Sequence, residues 1–199
     1  GDGNDMMSGD AGDDLMLGGG GNDLMGGDVD PRLPAAGTPT EISRDVLIGD
    51  GGRISFNERR FRAIETVIGA DATGTPFDDI IYGDNGNDYI LGGRGSDFLF
   101  GGHGKVVAAG IVGAFRGATD SEASDDDIIV GDNGRLEFAD KAIAGNFGIL
   151  ELVRTTDTSD TTGGHEYAEG ELGDDVIFGG VNGSVDVLFG NVGNDVMLG

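Results

Sequence analysis

A nine-residue period is the feature that most constrains what this chain can fold into. Aligned on Gly and Asp, residues 9–17 read GDAGDDLML, 18–26 GGGGNDLMG, 83–91 GDNGNDYIL and 92–100 GGRGSDFLF. Residues 170–178 read GELGDDVIF and 190–198 GNVGNDVML. The shared form is G-G/D-x-G-x-D-x-U-x, where U is a large apolar residue. Asp14, Asp23, Asp88, Asp97, Asp175 and Asp195 hold the sixth position, and Asp5 holds it in an opening repeat that lacks its first Gly. Degenerate copies put Asp45, Asp79, Asp127 and Asp186 in the same role. The eighth position is Met7, Met16, Met25, Leu47, Ile81, Ile90, Leu99, Ile129, Ile177, Leu188 and Met197. A unit this short cannot bury its own apolar face, so it must stack on its neighbours.

Closely spaced glycines let the backbone turn tightly and aim its carbonyls into a small volume. The three residues that follow form a strand with one side chain inward and two outward. The inward one is the apolar eighth residue, so stacked parallel turns bury a continuous row of Met, Ile and Leu. The same stacking lines up the Asp carboxylates along each edge, where they repel one another unless cations lie among them.

These repeats resemble the RTX, or hemolysin-type calcium-binding, nonapeptide over about half of the chain. The resemblance implies an all-β fold, a parallel β-roll or β-solenoid in which two nonapeptides make one turn, with calcium-binding turns and with β-hairpin and loop insertions. It implies that each ion lies between successive loops on one edge. The ligands would be Asp5, Asp14, Asp23, Asp45, Asp79, Asp88, Asp97, Asp127, Asp175, Asp186 and Asp195. Loop carbonyls would come from Gly1, Gly3, Gly9, Gly12, Gly18, Gly21, Gly83, Gly86, Gly92, Gly95, Gly101, Gly170, Gly173, Gly190 and Gly193. Asp45, Asp79, Asp127 and Asp186 sit in loops that lack one or more Gly.

The donor chemistry agrees with that ion. Ca²⁺ takes 6–8 oxygen ligands in flexible geometry, whereas Mg²⁺ demands a near-ideal octahedron and gives up water reluctantly. The loops offer carboxylates and carbonyls, with no His or Cys for a transition metal. The chain has 37 Asp plus Glu against 12 Lys plus Arg, a formal charge of -25. On the order of ten Ca²⁺ would offset most of it. The alternative, Asp bonding only to its own turn backbone, accounts for a lone G-D-G but not for eleven Asp in one phase. Folding is therefore expected to be linked to metal, since an ion that binds the native chain stabilises it by mass action.

Four stretches interrupt the period. The chain reads as one continuous domain over 1–199, with roll turns near 1–27, 45–52, 75–104, 125–134 and 170–199. The insertions are 28–44, 53–74, 105–124 and 135–169. Pro31, Pro34 and Pro39 mark the first as a surface loop. Residues 103–124 are apolar and then polar, and read either as a short helix or as an extended excursion. DVLIGDGGRISF at 45–56 matches DIIVGDNGRLEF at 127–138, an offset of 82 positions. After each, alternation of polar and apolar residues and a return segment (63–68, 148–154) predict a lateral β-hairpin. Arg53, Arg59, Arg60 and Arg62 cluster on the first hairpin; they read as a solvated face balancing the acidic roll, or as a lateral contact.

The remaining features exclude more than they assign. The acidity disfavours nucleic acid, because phosphates are repelled. No apolar run approaches the ~20 residues of a membrane span, and the absence of Cys excludes disulfides. HEYAE at 165–169 has Glu169 where H-E-x-x-H needs its second His, and no nucleophile elbow occurs. No catalytic residue and no enzyme activity are expected. Joining residue 199 to a second residue 1 keeps the nine-residue register, so further copies are expected end to end, as a homopolymer or tandem array. The expected role is a calcium-stabilised structural unit of an extracellular or cell-surface fibre, surface layer or adhesin stalk. The alternative is a calcium-binding module of a type I-secreted toxin or enzyme.

Overall fold

A nonapeptide loop leaves room for three residues of strand, and three is what each repeat makes. The structure is a computed structural model that describes residues 1–28, 43–58, 60–67, 77–102, 125–139, 149–157, 163–181 and 184–199. The strands in chain order are β1 (Met6–Ser8), β2 (Leu15–Leu17), β3 (Leu24–Gly26), β4 (Val46–Ile48), β5 (Gly52–Asn57), β6 (Arg60–Thr66), β7 (Ile80–Tyr82) and β8 (Tyr89–Leu91). They continue as β9 (Phe98–Phe100), β10 (Ile128–Val130), β11 (Gly134–Phe138), β12 (Leu150–Thr155), β13 (Tyr167–Glu169), β14 (Val176–Phe178), β15 (Val187–Phe189) and β16 (Val196–Leu198). Among the described residues there is no helix, and so none long and apolar enough to cross a membrane.

The three-residue strands form two parallel six-stranded sheets. The first has the order β1-β3-β7-β9-β13-β15 and the second β16-β14-β10-β8-β4-β2. Successive nonapeptide strands alternate between them. Pairing is in strict register of the repeat, as in Met25↔Ile81 and Ile81↔Leu99 in one sheet and Leu47↔Ile90 and Ile90↔Ile129 in the other. The eighth-position side chains of both sheets meet between them. Met16, Met25, Leu47, Ile81, Ile90, Leu99, Ile129 and Ile177 are buried in one cluster. Removing each from water contributes about 1.5–3 kcal/mol.

The two hairpins do not stand apart as separate flaps. β5–β6 and β11–β12 join through antiparallel β6–β11 pairing into one four-stranded sheet, order β12-β11-β6-β5. Its inner row runs Ile54, Ile64, Leu136, Val153 across the four strands. That row packs on the outward residues of the second parallel sheet, Val46, Ile48, Leu91 and Val130, all fully buried. The chain folds over at two equivalent glycines. A Cβ at Gly52 would lie 2.7 Å from Ile48 Cδ1, and one at Gly134 would lie 2.6 Å from Val130 Cγ1, so a side chain at either position would displace a buried apolar side chain of the sheet beneath. On the outer row Arg135 pairs with Glu65 and, at 2.7 Å, with Glu137.

One boundary read from the sequence is corrected. Residues 135–169 are not all insertion, because Tyr167–Glu169 is a parallel strand between β9 and β15. Its inward residue is Ala168, fully buried in the common cluster. The loop expectation for 28–44 and the open choice for 103–124 fall almost wholly outside the described residues.

Candidate metal centre

The loops that lead into the strands build two columns of acidic side chains. Asp5, Asp23, Asp79, Asp97 and Asp186 precede strands of the first sheet, and Asp14, Asp45, Asp88, Asp127, Asp175 and Asp195 precede those of the second. The loops into β2, β3, β8, β9, β14 and β16 each carry two residues in the left-handed region. In the loop at 83–88, Asp84 has φ 78° and Gly86 φ 119°, conformations that Gly tolerates freely and Asp better than most side chains.

Within a column the carboxylates are laddered by the backbone. The N–H of Asp45 donates to Asp88 Oδ1 at 2.7 Å, that of Asp88 to Asp127 Oδ1 at 2.7 Å, and that of Asp127 to Asp175 Oδ1 at 2.9 Å. In the other column Asp23 N–H donates to Asp79 Oδ1 at 2.7 Å and Asp79 N–H to Asp97 Oδ1 at 2.8 Å. One oxygen of each accepting carboxylate is thus spent on orientation. The second oxygen, Oδ2, of Asp14, Asp23, Asp45, Asp79, Asp88, Asp97, Asp127 and Asp175 is buried with no hydrogen-bond partner. A buried, unsatisfied carboxylate oxygen is costly, and its recurrence at one phase is a property of the repeat.

The environment of those oxygens is oxygen-rich and tight. A Cβ added at Gly27 would collide with both Asp45 Oδ2 and the Gly83 carbonyl oxygen. The same pair of atoms, one carboxylate and one carbonyl from the next loop of that edge, meets at Gly18 (Asp23, Gly49), Gly49 (Asp79, Gly92), Gly83 (Asp88, Gly101) and Gly92 (Asp97, Gly131). The first glycine of the repeat therefore leaves a cradle that any side chain would fill. Among the described residues no group of three or more His, Cys, Asp or Glu side chains could hold a metal by itself. Carbonyls are needed to complete the coordination, and an all-oxygen set of this kind fits Ca²⁺ better than any transition metal.

Electrostatics point the same way. Burial, followed by neighbouring carboxylates, pushes Asp88, Asp97 and Asp127 well above the usual carboxylate range. Burial raises Asp45 and Asp79 to about 8 and Asp175 to about 7. Asp88 faces Asp45, Asp125 and Asp28, so without a cation the column is charged only at a large cost.

All eleven Asp named from the sequence lie in the two columns, including Asp45, Asp79 and Asp127, whose loops carry insertions. Of the carbonyls named, those of Gly83, Gly92, Gly101 and Gly170 lie at the cradles. The fourth-position glycines stack separately, Gly21 over Gly3 and Gly193 over the Gly173 carbonyl. Sequence reasoning missed the carbonyls of Gly27, Gly49, Gly131 and Gly179, which belong to loops broken by insertions or spacing. It also missed Glu166, which takes a sixth position between Asp97 and Asp186. The N–H of Tyr167 beside it bonds Asp97 O, and burial raises Glu166 to about 9. The signal was available: GGHEYAEG at 163–170 keeps the acid two residues before an inward residue and a closing Gly.

A family model described as the RTX calcium-binding nonapeptide repeat matches in four copies, at residues 1–30, 73–105 and 160–197, just over half of the chain. No curated protein and no solved structure matches.

Proposed function

We infer the role of this chain from the family to which it belongs, the RTX calcium-binding nonapeptide repeats: it is a calcium-binding repeat module, and its two parallel sheets are the walls of a β-roll set by that metal. The observation that carries this reading is the repeated orphan Oδ2 beside a glycine cradle. The residues that would hold the ions are Asp14, Asp23, Asp45, Asp79, Asp88, Asp97, Asp127 and Asp175, with first-position carbonyls of adjacent loops. Asp5, Asp186 and Asp195 hold the same phase at the outer turns. Calcium supplies positive charge there and nothing reactive; the role is structural, with no catalytic residue.

We further propose that the module acts outside the cell as a stacking unit of a fibre, surface layer or stalk. Calcium is scarce in the cytosol, so such a chain stays unfolded until export and sets where calcium is abundant. Exposed apolar residues at both sheet edges, Met6 and Leu15 at one and Val187, Val196 and Met197 at the other, support continuation of the stack. Open strand edges are ready templates for pairing, and a head-to-tail contact that does not close gives a filament. Electron microscopy of the purified, calcium-loaded chain tests this. Filaments with an axial repeat of one chain are expected; monodisperse particles would contradict stacking and favour a module carried by a larger secreted protein.

A further inference from the structure

One turn departs from the donor geometry that the others share. Among the described residues, at every other first-position glycine that leads into a three-residue strand, an added Cβ would meet the Oδ2 of the sixth-position Asp. At Gly131 it would meet the side-chain carbons of Glu166, Cγ at 2.5 Å and Cβ at 3.2 Å, and the carboxyl oxygens lie farther off than either. The Gly179 carbonyl oxygen keeps its usual place beside that glycine. One vertex of the cradle is therefore a methylene, which has no lone pair to give a cation.

Interruption of the loop is not the cause. Gly27 with Asp45, Gly49 with Asp79 and Gly101 with Asp127 are also assembled from residues on either side of an insertion, and each keeps Oδ2 in the cradle. Gly179 and Asp186 are separated by two more residues than Gly83 and Asp88, and they keep it too.

The backbone at Glu166 is likewise in place. β13 pairs in register with β9 and β15. The N–H of Tyr167 donates to the Asp97 carbonyl at 2.9 Å, and that of Glu166 to Asp186 Oδ1 at 3.4 Å. What differs is the length of the side chain. One more carbon–carbon bond, about 1.5 Å, carries the carboxyl past its own cradle. There it hydrogen-bonds the side chain of Asp186, in the next loop of the same column.

We propose that Glu166 closes this turn to calcium, so that the column of the first sheet holds ions at the Asp97 and Asp186 turns and none between the Gly131 and Gly179 loops. Glu166 is thus the residue that sets where the run of ions breaks, and an acid shorter by one methylene would open the site. The two layers at this seam are joined by backbone pairing and the apolar row alone. Packing is also lightest there, because the inward residue Ala168 stands between Leu99 and Leu188. The inference rests on the reading of the remaining turns as calcium sites.

Native mass spectrometry of the calcium-loaded 199-residue chain, which counts bound ions as integers, is the test, with a calcium titration of each variant beside it. Glu166→Gln keeps size and hydrogen bonding but removes the charge, and it should match the parent in ion count and affinity. Asp97→Asn, the same change at an acid that faces its cradle, should weaken one site by about tenfold. Glu166→Asp should hold one ion more than the parent and gain more thermal stability from added calcium. Circular dichroism confirms that the variants fold. An ion lost or a site weakened tenfold by Glu166→Gln overturns the proposal, as does a folded Glu166→Asp that gains no ion. Should Glu166→Asp fail to fold, the Glu166→Gln result decides alone. A parent chain that binds no calcium overturns the reading of the turns as calcium sites and this inference with it. A parent that binds calcium, with Glu166→Gln one ion short, overturns this inference alone.

Discussion

At the scale of the residue, one aspartate has three tasks. Asp88 orients its Oδ1 on the N–H of Asp45, gives its own N–H to Asp127, and aims Oδ2 at the cradle of Gly83. Asp88→Asn keeps size and hydrogen bonding but removes the charge. Calcium titration should find binding at that edge weaker by about tenfold, about 1.4 kcal/mol. In chelator the same variant should be more stable than the parent, because a buried repelling charge has gone. Gly27→Ala should abolish one site by filling the space where Asp45 and the Gly83 carbonyl converge. The pH dependence has opposite signs with and without metal. The folded-state values of Asp45 and Asp79, about 8, lie above the unfolded ~3.9. The metal-free fold therefore binds protons more tightly than the unfolded chain, and its stability is present at acid pH and lost as pH rises from about 4 to 8. In chelator, circular dichroism should show structure gained as pH falls from 8 to 5. The loaded protein should lose calcium over the same window, because its ligands must be deprotonated.

At the scale of the element, the lateral sheet depends on packing rather than metal. Leu136 is fully buried between Ile64, Val153 and the parallel sheet. Leu136→Ala should cost about 2–5 kcal/mol while leaving calcium stoichiometry unchanged, measured by calorimetry and equilibrium dialysis on one preparation. The three-residue strands were legible in the sequence because Gly, Asp and the inward residue recur in phase, and both hairpins were legible from alternation after Gly52 and Gly134. Their union was not. The β6–β11 pairing joins residues 70 positions apart, Glu65 and Arg135, and no local pattern encodes a contact at that distance. β13 was also hidden, because its sixth residue is Glu166 and its inward residue Ala168, the smallest in the core row. The lesson is physical: short strands tolerate a small inward residue when the strands on both sides bury it.

At the scale of the whole molecule, charge and burial oppose each other. The eight buried Oδ2 atoms lie within a chain of net charge -25, and the apolar row between the sheets forms only when the loops that carry those carboxylates stack. Divalent cations reconcile the two. Far-UV circular dichroism of the 199-residue chain at neutral pH, in chelator and then through a calcium titration, tests this most directly. The account predicts a largely unordered spectrum in chelator that converts cooperatively to a β spectrum as calcium is added, with magnesium a poor substitute. A β spectrum that persists unchanged after complete chelation would contradict it.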